Sequence, residues 1–276
     1  MTSTRDIRNK IRTVRNIEQI CRAMKTVSSI RLRRAEQRLS RARPYHAKLE
    51  DLVGVVAAVT QDHPFLQEPP PGKTGLILVT SDRGLCGSYN AAAVRRAFAV
   101  GPPSEIVAAP AGRRGLLHLR REGYTIAEQL TPIGGEPEVG AVYALAERMG
   151  RRYLDGEIAQ LVTVYTRFLG GARTELTVEQ VLPVRPRLVS FSDAIFEPRP
   201  QRILPGLMAR YLQSEVLSAV LESSASEHAA RVASMTAASD NANEMIDQLT
   251  LDYNKARQAS ITKELAEIVS AADSTI

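Results

Sequence analysis

Between Gly75 and Asn90 the sequence reads GLILVTSDRGLCGSYN, an apolar run that empties into a glycine-punctuated loop carrying Asp82, Arg83, Cys86 and Ser88. Three chemistries are open to such a loop. Phosphate binding requires a Gly-rich turn followed by Lys and Ser/Thr, or three glycines at dinucleotide spacing. Gly84 and Gly87 satisfy neither pattern. Nucleophilic attack by Cys86 requires a base and a group that lowers the thiol pKa. The sequence offers no His between His63 and His118. A carboxylate site would pair Asp82 with a second acid, and none accompanies it. The loop reads as a strand-to-helix corner, with Ser88 or Asn90 near the helix start and Cys86 as a small buried residue. The four histidines (His46, His63, His118, His228) and two cysteines (Cys21, Cys86) show no metal-ligand spacing. No catalytic residue, cofactor or metal is therefore expected.

The elements around this corner predict a mostly parallel sheet covered by helices. GLILVTS and SEIVAAP read as buried strands. NAAAVRRAFAV, GRRGLLHLRREGY (closed by Gly123) and PEVGAVYALAERMGRRYLDG read as helices. EIAQLVTVYTRFL and TELTVEQVLPV read as two consecutive strands, paired antiparallel across a turn at Gly170 and Gly171.

The two ends have a different character. From Ile7 the apolar residues Ile7, Ile11, Val14, Ile17, Cys21, Met24, Val27 and Ile30, then Leu39, fall at helical steps. One long amphipathic helix, passing Pro44 and reaching about Val59, is expected. DHPFLQEPPPGKTG then reads as a linker. After Gly206 neither Gly nor Pro recurs, so residues 207–276 can form one helix of roughly 100 Å at about 1.5 Å per residue. Its expected stripe is Val232, Met235, Ala238, Ala242, Met245, Leu249, Tyr253 and Ala256, then Ile261, Leu265 and Ile268. A lone helix of that length has nothing to bury its stripe against. The N-terminal helix is the obvious antiparallel partner, with Ala229, Ala233, Ala237 and Ala238 permitting close approach. The fold class expected is α/β plus a long antiparallel α-helical coiled coil. Its parts are an N-terminal helix (1–59), a linker (60–74), a Rossmann-like α/β domain (75–200) and a C-terminal helix (201–276).

Composition narrows the function classes. Cysteine usage fits a reducing compartment rather than a disulfide framework. No signal-peptide core is visible, and no apolar run approaches membrane-spanning length. Residues 1–50 carry fourteen Lys/Arg and four Asp/Glu, a local +10 in a chain of net +6, which leaves −4 for the rest. Such a segment fits a nucleic-acid arm, an anionic lipid contact or a face toward acidic protein. A basic coiled-coil nucleic-acid binder is the rival class.

The ends decide between them. IRNKIRTVRNIEQICRAMKTVSSIRLRRAEQRLSRARPYHAKL resembles the N-terminal helix of the gamma subunit of F-type ATP synthases. SEHAARVASMTAASDNANEMIDQLTLDYNKARQASITKELAEIVS is similar to that family's C-terminal helix. TSDRGLCGSYN, GRRGLLHLRREGY and TVEQVLPV match its middle domain. The resemblance implies a non-catalytic rotor shaft, one copy per complex. Its partners would be three alpha and three beta subunits, an epsilon subunit and a membrane c ring. It implies a part in ATP synthesis and hydrogen ion transport at the cytoplasmic face of a bacterial inner membrane, reached only through the c ring. Arg257 and Gln258 in NKARQAS match the family's hydrogen-bonding contact with a beta-subunit loop. Met24 and Lys25 match the region facing an acidic beta-subunit lever. Arg43 and Tyr45 in ARPY, with Phe196 and Glu197 in IFEP, match segments near the c ring and epsilon; packing within the chain is the other role open to Tyr45 and Phe196.

Overall fold

The computed structural model describes residues 4–134, 137–186 and 196–273, with the side chains of 263 and 267–273 outside that description. The fold is a mixed α/β sheet with a long helix at each end. Helix α1 is Thr4–Val59 and carries Pro44 without a break. Helix α5 is Pro200–Asp273, so it starts about two turns earlier than the last glycine suggests, with Pro205 inside it. Residues divide into two compact units, 28–231 and 1–27 with 232–276.

In the larger unit five strands follow the order β3-β2-β1-β4-β5. These are β1 (Lys73–Val79), β2 (Ile106–Ala111), β3 (Thr125–Ile126), β4 (Ile158–Gly170) and β5 (Arg173–Leu182). Pairs β1–β2, β1–β4 and β2–β3 are parallel, whereas β4 and β5 form an antiparallel hairpin through Gly170 and Gly171. Only β3, two residues long, escapes the sequence pattern.

Period-two alternation sends neighbouring β1 side chains to opposite faces. Leu76 and Leu78 join α2 (Tyr89–Phe98) and α3 (Arg113–Arg121) in one cluster with Ala93, Val94 and Leu119. Ile77 and Val79 join α4 (Val139–Leu154) through Leu145 and Met149, together with Leu49 and Val53 of α1 and Leu204 and Met208 of α5. A helix end thus serves as the second cover of the sheet. The segment between α1 and β1 contributes too: His63 caps a short 3-10 turn, Pro64–Leu66, whose Phe65 enters that same cluster.

The helices pair on a strict seven-residue repeat. On α1 positions 7, 14, 21, 28, 35, 42, 49 and 56, with 11, 18, 25, 32, 39, 46 and 53 between them, are all buried or half-buried. This is the 3.5-residue seam of a coiled coil. It corrects the expected stripe. Ile17, Val27 and Ile30 are about half exposed, and Glu18 and Ser28 occupy the seam instead. On α5 the same repeat runs through Val232, Met235, Ser239, Ala242, Ile246, Leu249, Tyr253 and Ala256. Ser239 and Ile246 take the places assigned to Ala238 and Met245, and Met245 is exposed. Ala233 and Ala237 are exposed, whereas Ala225 and Ala229 pack against Ala35 and Leu39 in the larger unit.

Ser239 donates to Glu18 Oε1 at 3.2 Å, which fixes the antiparallel register in the smaller unit. Counting outward at equal rise, Thr4 stands opposite roughly residue 253. Ile261 and Leu265 lie beyond that point and are exposed, so they belong to no helix–helix seam. The side chain of Ile268 lies outside the described residues.

Candidate functional site

The corner loop is consumed by its own structure. Asp82 accepts hydrogen bonds from the backbone N–H of Arg113 (3.0 Å) and of Gly134 (2.8 Å). It supplies the carboxylate that α3 lacks at its own N-cap, Gly112. Gly112 sits at φ +105, and a Cβ there would lie 2.1 Å from the Thr80 carbonyl oxygen, so only glycine lets the loop close on the strand end. Thr80 Oγ1 accepts from Gly115 N–H at 2.8 Å. Ser81 Oγ bonds the Arg83 carbonyl, and Asn90 bridges Ser81 and Cys86 from the first turn of α2.

Cys86 is 2% exposed, and burial pushes its thiol pKa up. Its hydrogen-bonding neighbours among the described residues are Ser81, Asn90 and the Arg83 carbonyl, none of them a base. A buried thiol held protonated is not a nucleophile. The loop is a corner of the fold.

A cleft of about 650 Å³ lies between α1, α5 and the β4–β5 hairpin in the larger unit. Most of its charges are paired with one another. Arg43 meets Glu222 at 3.2 Å, Arg167 meets Glu179 at 3.2 Å, and His46 meets Glu215 at 3.7 Å. Burial raises the Glu215 pKa, opposed by His46. Among the described residues no group of three or more His, Cys, Asp or Glu could hold a metal ion. No helix among them is long and apolar enough to cross a membrane.

The positions matched through the resemblance fall into separate places. In the smaller unit Met24 and Lys25 are half-buried at the seam edge, whereas Arg257 and Gln258 are exposed. The Ser239–Glu18 register sets Met24 opposite about residue 233, so the two pairs are roughly 36 Å apart along α5. They do not form one site. In the larger unit Arg43 donates to the Phe168 carbonyl at 2.9 Å as well as to Glu222, with half its side chain still exposed. Tyr45 is exposed and Glu197 is exposed. Phe196 is half-buried against the core cluster of α4 and α5, the packing role left open for it.

Two features escaped sequence reasoning. The first is a second apolar stripe on α1, with Ile17, Ile20 and Val27 exposed beside the seam in the smaller unit. A strict seven-residue count from Ile7 would have separated the two stripes; following apolar identity merged them. The second is a run of buried polar residues on α5 in the larger unit, Glu222, Ser223, Ser224, Ser226, His228 and Arg231. Nothing in its composition distinguishes it from a solvated helix face.

Residues 3–275 match a family model described as ATP synthase. The chain is 41% identical to the ATP synthase gamma chain of Moorella thermoacetica over 99% of each chain. It is 38% identical to that of Acidithiobacillus ferrooxidans, covering 97% of this chain and 98% of the relative. A solved structure of the Euglena gracilis mitochondrial ATP synthase, containing OSCP, F1 and the c-ring, has a chain of similar fold, with a TM-score of 0.74 at 22% identity over 99% of this chain and 94% of that one.

Proposed function

Because the chain belongs to the ATP synthase gamma-chain family, we propose that it is the central rotor stalk of an F-type ATP synthase, coupling ion-driven rotation of a membrane c ring to conformational cycling of three catalytic beta subunits. The chain itself is non-catalytic. One asymmetric helix pair touches three otherwise equivalent sites differently and so biases each toward a different conformation.

The observation that carries this reading is the second stripe. Ile17, Ile20 and Val27 are exposed on a helix whose seam already meets α5. A helix pair with an apolar face left over calls for enclosing partners, and a ring of alpha and beta subunits would supply them. Within that ring Arg257 and Gln258 would hydrogen-bond a beta-subunit loop, and Met24 and Lys25 would face an acidic beta-subunit lever. Arg43, Tyr45, Phe196 and Glu197 would lie toward epsilon and the c ring, with Arg43 held for that role by Glu222. One copy per complex, held at the cytoplasmic face of an inner membrane through the c ring, completes the proposal. The nucleic-acid alternative gains nothing from the relatives named above, which are ATP synthase gamma chains.

Purification of the tagged chain from its native cells in mild detergent, with mass spectrometry of what accompanies it, tests the reading. Recovery of alpha, beta, epsilon and c subunits is expected. Recovery alone, or with nucleic acid that salt removes, would overturn it.

A further inference from the structure

Ten residues of α5, from Glu222 to Arg231, are nearly all polar or small and nearly all buried, with Ser223 and Ser226 fully inaccessible. Apolar side chains would fill such a place at less desolvation cost, so the bonds these residues make are informative. Strand β1 ends at Val79, and its last partner on β4 is Val164. Two residues further along β4, Thr166 therefore has an edge that β1 no longer covers. Helix α5 covers it. Ser223 Oγ accepts from the Thr166 N–H at 3.2 Å, and Ser226 Oγ donates to the Thr166 carbonyl at 2.9 Å. The two serines are three residues apart and so share one helix face.

The same face is tied to the corner loop. The Tyr89 hydroxyl lies 2.9 Å from Ser223 Oγ and 3.1 Å from the Ser223 carbonyl. Arg231, held by Glu227 at 2.7 Å, donates to the Gly84 carbonyl at 3.3 Å. One helix is thereby bonded at named atoms to the first loop, to α2 and to β4.

We infer that Tyr89, Ser223, Ser226 and Arg231 are positioning residues that lock the axial and rotational register of α5 against the sheet, so that twist applied to the α/β domain is delivered to the helix without slip. The inference rests on the rotor reading. Its physical basis is the difference between ridge packing and directed bonds. Apolar ridges offer equivalent grooves one turn apart, and packed elements ratchet between them. A slip of one turn returns at most one of the two serines to Thr166, so at least one of its two buried backbone groups would lose its partner.

The test uses the assembled complex carrying Ser223→Ala with Ser226→Ala, and separately Tyr89→Phe with Ser223→Ala, the milder pair because both hydroxyls of one bond leave together. Hydrogen exchange over residues 164–168, ATP hydrolysis rate, and ions pumped per ATP hydrolysed are read on each. Exchange should quicken and hydrolysis should stay within about two-fold of the parent, while pumping per ATP falls about three-fold or more, since a slipping register costs transmission rather than chemistry. Quickened exchange with an unchanged pumping ratio would reduce the bonds to ordinary stabilisation and overturn the inference. Unchanged exchange would overturn it too. If the double-serine variant does not assemble, the milder pair decides by the same ratio. Absence of any ATPase complex around the parent chain would instead sink the rotor reading itself.

Discussion

Helix α5 lives in two environments on one repeat. From Leu204 to Arg231, in the larger unit, most positions are buried, including serines, a glutamate, a histidine and an arginine. From Val232 to Ala256, in the smaller unit, burial falls back to the seam, and Met245 and Leu251 stand exposed between seam positions. The heptad is the same in both. What differs is how many neighbours cover the helix, and so what each residue type is worth there. Most buried polar residues in the first stretch are committed to bonds, whereas apolar residues off the seam in the second are left exposed in the isolated chain.

That contrast is breakable by substitution. The largest effect is expected for Leu204→Ala, at a fully buried site, which should lower unfolding free energy by about 2–5 kcal/mol in urea titrations. A loss under 1 kcal/mol would mean that the start of α5 is not core.

Acid should attack the same unit. Burial, then Arg231 and Arg31, lower the His228 pKa to about 4. Arg231 only donates, so Nδ1, 3.3 Å from its Nη1, accepts and the ring is neutral. The unfolded chain takes up this proton near pH 6.5 and the folded chain only near 4. Stability is therefore complete above the first value and drains as pH falls toward the second, by up to about 3 kcal/mol. Burial raises Glu215 and Glu227, which favours the folded state in acid, so the measurement is the difference between parent and His228→Gln from pH 7 to 4. Parallel curves would refute it.

In the smaller unit Glu18→Leu should act in the opposite sense. Glu18 is a buried seam residue held by Arg22 and Ser239. A leucine there should stabilise the pairing by about 1 kcal/mol and loosen its register, seen as slower amide exchange in residues 232–250. Faster exchange would show that the carboxylate stabilises rather than specifies.

Arg257→Ala with Gln258→Ala should leave stability within about 0.5 kcal/mol, since both are exposed. The assembled complex should nevertheless lose ATPase or ATP-driven pumping, because charge-assisted bonds to a partner are worth roughly 1.5–3 kcal/mol each. Full turnover in an assembled double variant would remove these residues from the interface. The smallest effect is expected for Cys86→Ser. With Ser81 and Asn90 already beside the sulfur, a hydroxyl finds partners, and hydrolysis by the complex should be unchanged. A turnover loss with normal assembly would return chemistry to the corner loop.

The sequence alone determined the elements and the family. Short apolar runs such as GLILV and the absence of Gly and Pro after Gly206 are local constraints on the backbone, and they are legible because strand-forming runs and helix breakers act within a few residues. It also determined that the corner loop lacks a base and a phosphate signature, since both depend on residue type and spacing. Only the tertiary structure decided which of two apolar stripes on α1 is the seam. Ile17 and Glu18 are adjacent in the chain, and the choice between them rests on the register of a partner more than two hundred residues away. The same holds for Ser223 and Ser226. Serine is a surface residue by composition, and it becomes a buried fastener here because β1 stops at Val79 and leaves the Thr166 backbone an open edge, a fact of sheet geometry that no window of neighbouring residues contains.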